Sequence, residues 1–324
     1  MTFRITAKSG IAAFAVVGLA TVAACSSSSS SSTAASGASA SSTSSSASNP
    51  LGGGSSSGSV VVGSANFPEN EVLAEVYALA LQAKGVKVTT KLNIGAREIY
   101  YPQVEKGAID IIPEYNGTLL TVEADPTSTA KTTAAVDAAL QAKLPSTLTV
   151  LDAAPAQDSD SITVTQATAT KYHLTSIADL KPYASQWTFG APSEFKTRSD
   201  GLAGLKANYG LVFKSFDPLD ESGPITLAAL TSGRVQAADV FTTTPQIISD
   251  KLVSLADPKN NFAAQNVIPL VYKPALTSTI SSTLNAISAK LTTAALLQLD
   301  VQVITDKDNY TTVAQNWLSS VGLG

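Results

Sequence analysis

The hydrophobic pattern divides the chain into three regions. Small apolar residues run from Gly10 to Ala24, preceded by the basic pair Arg4 and Lys8. Ser, Ala, Thr and Gly then dominate to about Gly58, with almost nothing to bury. From Ser59 onward, short β-branched runs alternate with segments of helical period. Val60-Val61-Val62-Gly63 predicts a strand, and Ser64 to Asn70 is turn chemistry. Val72, Leu73, Val76, Leu79 and Ala80 predict a helix over 70–84 that stops at Gly85. Pro68 suits its first turn, where Glu69 and Glu71 complement the helix dipole. A strand at 86–92, a helix at 99–106 and a strand at 109–112 complete the order expected of a mainly parallel α/β sheet.

The pattern then repeats. A helix over 137–144 and a strand over 148–151 precede a polar, extended segment at 155–160. Strands are expected at 162–165, 187–190 and 237–241, with helices opening at 176 and spanning 201–209 and 224–231. Strands at 252–255 and 267–272 and helices at 286–303 and 313–321 end the chain. Two α/β patterns joined by extended segments near residues 157 and 244 predict two lobes with two hinge crossings. Residues 59–157 plus 245–324 form lobe 1 in this reading, and 158–244 form lobe 2. A ligand cleft is expected between them, because pockets favour domain interfaces.

The apolar stretch near the start is shorter than the about 20 residues of a membrane span and suits a secretory leader. It ends in Val22-Ala23-Ala24-Cys25, which resembles a bacterial lipobox. That resemblance implies a signal peptide over 1–24 and a lipid on Cys25, the sole cysteine. Residues 25–58 then form a disordered tether between the lipid and a body at the outer face of the cytoplasmic membrane. Net charge is −4 with 14% charged residues and no basic cluster, which excludes nucleic acid as a partner.

Candidate chemistry concentrates at Gly107–Thr118. Ile109, Ile111 and Ile112 supply a buried strand, Pro113 and Gly117 break the pattern, and Tyr115 and Thr118 offer a ring face and a hydroxyl. Strand ends followed by loops are where open α/β sheets place ligands. Enzymatic chemistry finds no support. The sole histidine, His173, reads as a helix end, and no Ser-His-Asp constellation can be built around it. Asp110 and Glu114 span a strand end and a turn, which disfavours a carboxylate dyad. No residue cluster has metal-ligand spacing, and no cofactor is implied. Tyr100 and Tyr101 fit either core or cleft, the core being favoured.

Five motifs share the order and spacing of one family. They are G-S-A-N-F-P-E-N (63–70), G-x-I-D-x-x-P-E-Y-x-G-T (107–118), E-F-K-T-R-S-D-G-L-A-G-L (194–205), D-V-F-T-T-T (239–244) and D-P-K-N-N-F-A-A-Q-N-V-I-P (257–269). The body resembles the solute-binding proteins of osmoprotectant ABC importers for glycine betaine, choline and carnitine, in the branch typified by OpuC and ProX. The resemblance implies a type II periplasmic-binding-protein-like fold. It also implies a monomer that closes on a small solute and delivers it to an ABC permease with its ATPase subunits. Tyr115 stands at a cage tyrosine, Thr118 at a carboxylate-contacting threonine and Arg198 at the carboxylate-binding arginine. Ser161, Phe241 and Gln265 stand where three further tyrosines are expected, and Ser159 at an Asn or Asp position bordering the site. Ala65 replaces a lysine and Asn70 a glutamine. With Tyr115 and Phe241 as the aromatic survivors, cation–π stabilisation falls by about half. A larger polar, hydroxylated or aromatic solute is the alternative to a compact betaine, and a ligand-sensing lipoprotein is the alternative to an importer.

Overall fold

The computed structural model describes residues 59–324; the expected leader, Cys25 and the tether lie outside the described residues. Among those, the strands are β1 (Val60–Gly63), β2 (Val88–Lys91), β3 (Ile111–Tyr115), β4 (Leu148–Val150), β5 (Ile162–Thr165), β6 (Thr188–Ala191), β7 (Ser215–Pro218), β8 (Ala237–Asp239), β9 (Leu252–Ser254) and β10 (Val267–Tyr272). They assemble into two sheets, in the orders β2-β1-β3-β10-β4 and β7-β6-β8-β5-β9.

The two plans match. β1 pairs in parallel with β2 and β3, while β10 runs antiparallel to β3 and β4. β6 pairs in parallel with β7 and β8, while β5 runs antiparallel to β8 and β9. In each sheet the reversed strand is one that follows a crossing. Its start therefore lies at the same edge as the ends of its parallel neighbours: Val267 faces Tyr115, and Ile162 faces Asp239. Loops leaving β1, β3, β6 and β8 and segments entering β5 and β10 converge there, as ligand-binding loops do in open α/β sheets.

Gln157, near the first expected crossing, is bridged to Asn266. The second does not fall near residue 244. β9 pairs with β5, and Ser176 bridges Ala256, so the chain remains in the second sheet through Ala256 and rejoins the first at Asn266. Residues 245–256 thus belong with the second lobe. The polar run Thr242-Thr243-Thr244 suggested a hinge, but Thr242 Oγ1 and the Thr243 amide donate to Asp158 Oδ1 at 3.1 Å, tying the run to the outbound crossing.

The first sheet packs against the helices Pro68–Ala83, Ser278–Lys290 and Tyr310–Ser320, which bury Val72, Tyr77, Leu284 and Trp317 with the isoleucines of β3. All of β3 is buried, so it shows no alternation, and it runs past the expected end at 112 through Pro113 and Glu114 to Tyr115. Phe189, Phe195, Trp187 and Leu205 form the core of the second lobe. The helix expected over 286–303 is two helices, Ser278–Lys290 and Thr293–Asp300. Leu291 is extended, and Thr292 restarts the helix by accepting from the Ala295 amide at 3.2 Å. The edge strand β7 went unforeseen because Ser-Phe-Asp-Pro carries almost no apolar alternation.

At Gly117 a Cβ would overlap the Ala264 carbonyl oxygen of the returning segment. Gly117→Ala is therefore expected to cost about 1–3 kcal/mol of stability, the range of overpacking. The readout is a lower urea midpoint at an unchanged m-value.

Candidate functional site

The site begins with a polar tie behind β1. The Ala65 amide donates to Asn70 Oδ1 at 2.8 Å, and Asn70 Nδ2 donates to the Pro113 carbonyl at 3.0 Å. This pins the Ser64–Asn70 turn to β3 and holds Phe67 extended before Pro68, the backbone that a residue preceding proline prefers. The Phe67 ring centroid stands 6.0 Å from that of Tyr115 and 5.3 Å from that of Phe241 in the second lobe, edge to face with the latter.

The next wall is organised by Glu114, whose side chain is fully buried. It accepts from Arg97 Nε at 3.0 Å and Nη2 at 2.9 Å, from the Tyr100 hydroxyl at 2.7 Å and from the Tyr115 amide at 3.0 Å. Removing one partner of such a buried pair costs about 3–5 kcal/mol, so the acid holds its donors firmly. Tyr100, expected in the core, is thereby turned to line the cleft; Tyr101 packs in the core. The structure contradicts a dyad of Asp110 and Glu114, since Asp110 accepts from the Val61 amide at 2.8 Å instead.

Of the expected residues, Ala65, Tyr115, Thr118, Arg198, Phe241 and Gln265 line one cavity of about 40 Å³ of water-accessible space. That is space for about three waters, each needing about 10–15 Å³ on this measure. Gln265 clamps Thr118: its Nε2 donates to the hydroxyl and its Oε1 accepts from the amide. Ser159 and Ser161 do not join them; they border a neighbouring hollow with Asp257 and Phe262, to which Asp160 also contributes. Ser161 Oγ donates to the Val240 carbonyl at 2.6 Å, inside the sheet. The reason is the alternation of an extended segment, which sends Asp158 and Asp160 into the cleft and the serines away from it. That period-two signal was present in the sequence.

Sequence reasoning also missed Phe67, Arg97, Tyr100, Glu221 and Asp239 as cleft residues. The expectation of two surviving rings is corrected to four: Phe67, Tyr100, Tyr115 and Phe241. Both arginines already carry a carboxylate. Arg198 donates through Nε and Nη2 to Glu98 across the cleft at 3.0 and 3.2 Å, an engagement that does not use Nη1. The cleft acids Asp158, Asp160 and Asp239 form no such ion pair among the described residues. Burial raises the pKa of Asp160 and, with its neighbour Asp160, holds Asp239 well above the carboxylate range. Burial likewise raises Asp158, and Glu69 adds to it. The cleft is thus aromatic-walled with an unbalanced acidic side.

Matching α/β lobes whose loops meet over such a cleft define a two-lobed solute-binding protein. The chain belongs to the family described as the substrate binding domain of ABC-type glycine betaine transport systems, whose pattern spans residues 58–320. It is 27% identical over 276 residues to the Escherichia coli (strain K12) glycine betaine-binding protein YehZ, covering 81% of this chain and 90% of that one. It is 23% identical over 268 residues to the Helicobacter pylori (strain G27) ergothioneine transport permease/ergothioneine binding protein EgtU, covering 82% of this chain and 48% of that one. A solved glycine betaine/carnitine/choline ABC transporter structure superposes with a TM-score of 0.62 at 22% identity, covering 82% of this chain and 99% of that one. The protein is accordingly the substrate-binding component of an ABC importer and not an enzyme. It works outside the cytoplasm on a small molecule that it passes to a permease. No described helix is long and apolar enough to cross a membrane.

Burial pushes the Glu221 carboxyl up to about 8, its hydrogen bond with Glu194 adding to the effect. The unfolded chain releases that proton near pH 4.3. Between those values the folded state holds the extra proton, so stability falls as pH rises. Glu221→Gln is expected to flatten the decline of Tm between about pH 5 and pH 8, measured by calorimetry in the absence of solute.

Proposed function

We propose that the cleft captures a compact quaternary ammonium solute of the glycine betaine, choline and carnitine class. The observation that carries this reading is the convergence of Phe67, Tyr100, Tyr115 and Phe241 on one small cavity beside the carboxyls of Asp158, Asp160 and Asp239. A trimethylammonium group donates no ordinary hydrogen bond, so it is recognised by negative ring faces, each contributing about 0.5–2 kcal/mol. The three carboxyls, whose pKa values burial raises, add a negative field to the extent that a bound cation displaces their protons. A ligand carboxylate is accommodated at the other end, where Thr118 and the Nη1 edge of Arg198 border the cavity. The names of the relatives, one for glycine betaine and one for ergothioneine, support the same chemistry.

Capture is a closure of the lobes about the crossings at residues 157 and 266, with the ligand supplying the free-energy difference between open and closed states. Contacts between the lobes suit that role: Arg198 to Glu98, Thr243 Oγ1 to Glu69 at 2.7 Å, and Ser199 Oγ to the Thr121 carbonyl at 2.9 Å. The protein acts as a monomer on an ABC permease and its ATPase subunits. A signal peptide over 1–24 and a lipid on Cys25 anchor it, with residues 25–58 giving reach.

In the full-length protein, glycine betaine, choline or carnitine at millimolar concentration is expected to raise Tm, as binding to the folded state requires; no shift with any of the three overturns the reading. Phe67→Ala and Tyr115→Ala are each expected to weaken binding by about 2- to 30-fold in titration calorimetry, the range of one lost ring, whereas Tyr115→Phe retains most of it. Cys25→Ser is expected to move the protein from the membrane fraction to the medium and to abolish labelling with radioactive palmitate.

A further inference from the structure

Two ion pairs stand at the cleft, and they differ in kind. Arg97 and Glu114 both belong to the first lobe and are both buried. Arg198 and Glu98 join the lobes. Arg198 lies in the second lobe, between the turn Ser193–Lys196 and the helix Leu202–Tyr209. Glu98 lies in the first turn of the helix Arg97–Glu105. Arg198 Nε meets Oε1 at 3.0 Å and Nη2 meets Oε2 at 3.2 Å. These are the two parallel bonds that a guanidinium fork makes with a carboxylate.

Glu98 is not needed by the core: its side chain is 40% exposed, against 12% for Arg198. Partial burial opposes its charge, yet the bond and charge of Arg198 hold it below the usual carboxylate range. It is also absent from the cavity lining, which Arg198 joins. Glu98 therefore acts on a solute through Arg198. With the Nε–Nη2 edge taken, a solute carboxylate is left the Nη1 edge and loses the parallel pair. The same carboxylate shares the cavity with Asp158, Asp160, Asp239 and Glu221, while Glu114 already matches Arg97. A hydroxyl carries no charge into that company. It accepts from an arginine N–H and donates to a carboxyl oxygen.

We infer that Glu98 sets the selectivity of the cleft: by holding the Arg198 fork it favours a quaternary ammonium alcohol over a quaternary ammonium carboxylate. The inference rests on the aromatic cage holding the trimethylammonium head, and it ranks solutes that share that head. Glu98 is a positioning residue here, supplying from the first lobe the anion that a zwitterion would otherwise bring to Arg198.

Choline and glycine betaine are the two probes, titrated by calorimetry into the full-length protein and three variants. The wild type is expected to bind choline more tightly than glycine betaine. Glu98→Gln, which keeps the shape and removes the charge, is expected to shift the ratio about tenfold toward glycine betaine, the scale of one charged hydrogen bond. Glu98→Asp, too short to keep the parallel pair, is expected to shift it the same way by less. Ser199→Ala removes the neighbouring bond between the lobes, to the Thr121 carbonyl, and leaves the fork intact. It is expected to keep the wild-type ratio. Glycine betaine binding the wild type as tightly as choline overturns the inference and leaves the cage reading standing. So does a ratio that fails to move toward glycine betaine in Glu98→Gln, or that moves equally in Ser199→Ala, which assigns the effect to lobe closure. Binding of neither probe overturns both readings.

Discussion

The buried carboxylate of Glu114 is the constraint on which the first-lobe wall depends. A charge without exposure is tolerable only when its hydrogen-bond capacity is filled, and here Arg97, Tyr100 and the Tyr115 amide fill it. The same bonds decide where those groups point. Arg97 and Tyr100 are drawn from the helix Arg97–Glu105 onto the end of β3, and Tyr115 is fixed at the point where the strand becomes a turn. The wall is therefore rigid before any solute arrives, and less ordering entropy opposes binding.

Chain reversal in each sheet completes the arrangement. Had β5 and β10 been parallel to their neighbours, Asp160 and Gln265 would start at the far edge, away from the loops that carry Phe67 and Arg198. The reversed strand puts all of them at one edge of each sheet. It also places the outbound and returning crossings side by side, joined at Gln157 and Asn266. A paired hinge of that kind bends with few changes of backbone angle, while the contacts of Arg198 and Thr243 across the cleft form or break as a unit.

Much of this was legible in the sequence because local signals and tertiary demands agree there. The apolar run of β3, the helical period of Val72 to Ala80 and six of the eight expected site residues follow from pattern and motif, and the structure gathers those six around one cavity. The failures are local. Ser161 stands at an expected cage position and Ser159 at one bordering the site, although alternation along the segment turns Asp158 and Asp160 toward the cleft. Phe67 read as turn chemistry because nothing along the chain tells that a ring beside Pro68 will meet Phe241 from another lobe. The run of threonines read as a hinge because its hydrogen bonds to Asp158 join residues far apart in sequence. Glu114 and Arg97 carry a signal only when seen together, and they lie on different elements.

Charge balance around the cavity bears on which solutes the rings can hold. Arg97 and Arg198 are each matched by a glutamate, so they contribute little net positive field. Asp158, Asp160 and Asp239 have no basic partner at comparable range, and their raised pKa values mean that protons occupy part of that charge when the cleft is empty. In the proposed reading, a cation in the cage competes with those protons. The aromatic box and the acids therefore act on the same head group by different routes, the rings through their quadrupoles and the acids through proton exchange. Loss of tyrosine at positions 161 and 265 is then offset twice, by Phe67 and Tyr100 in the wall and by the carboxyls beside them.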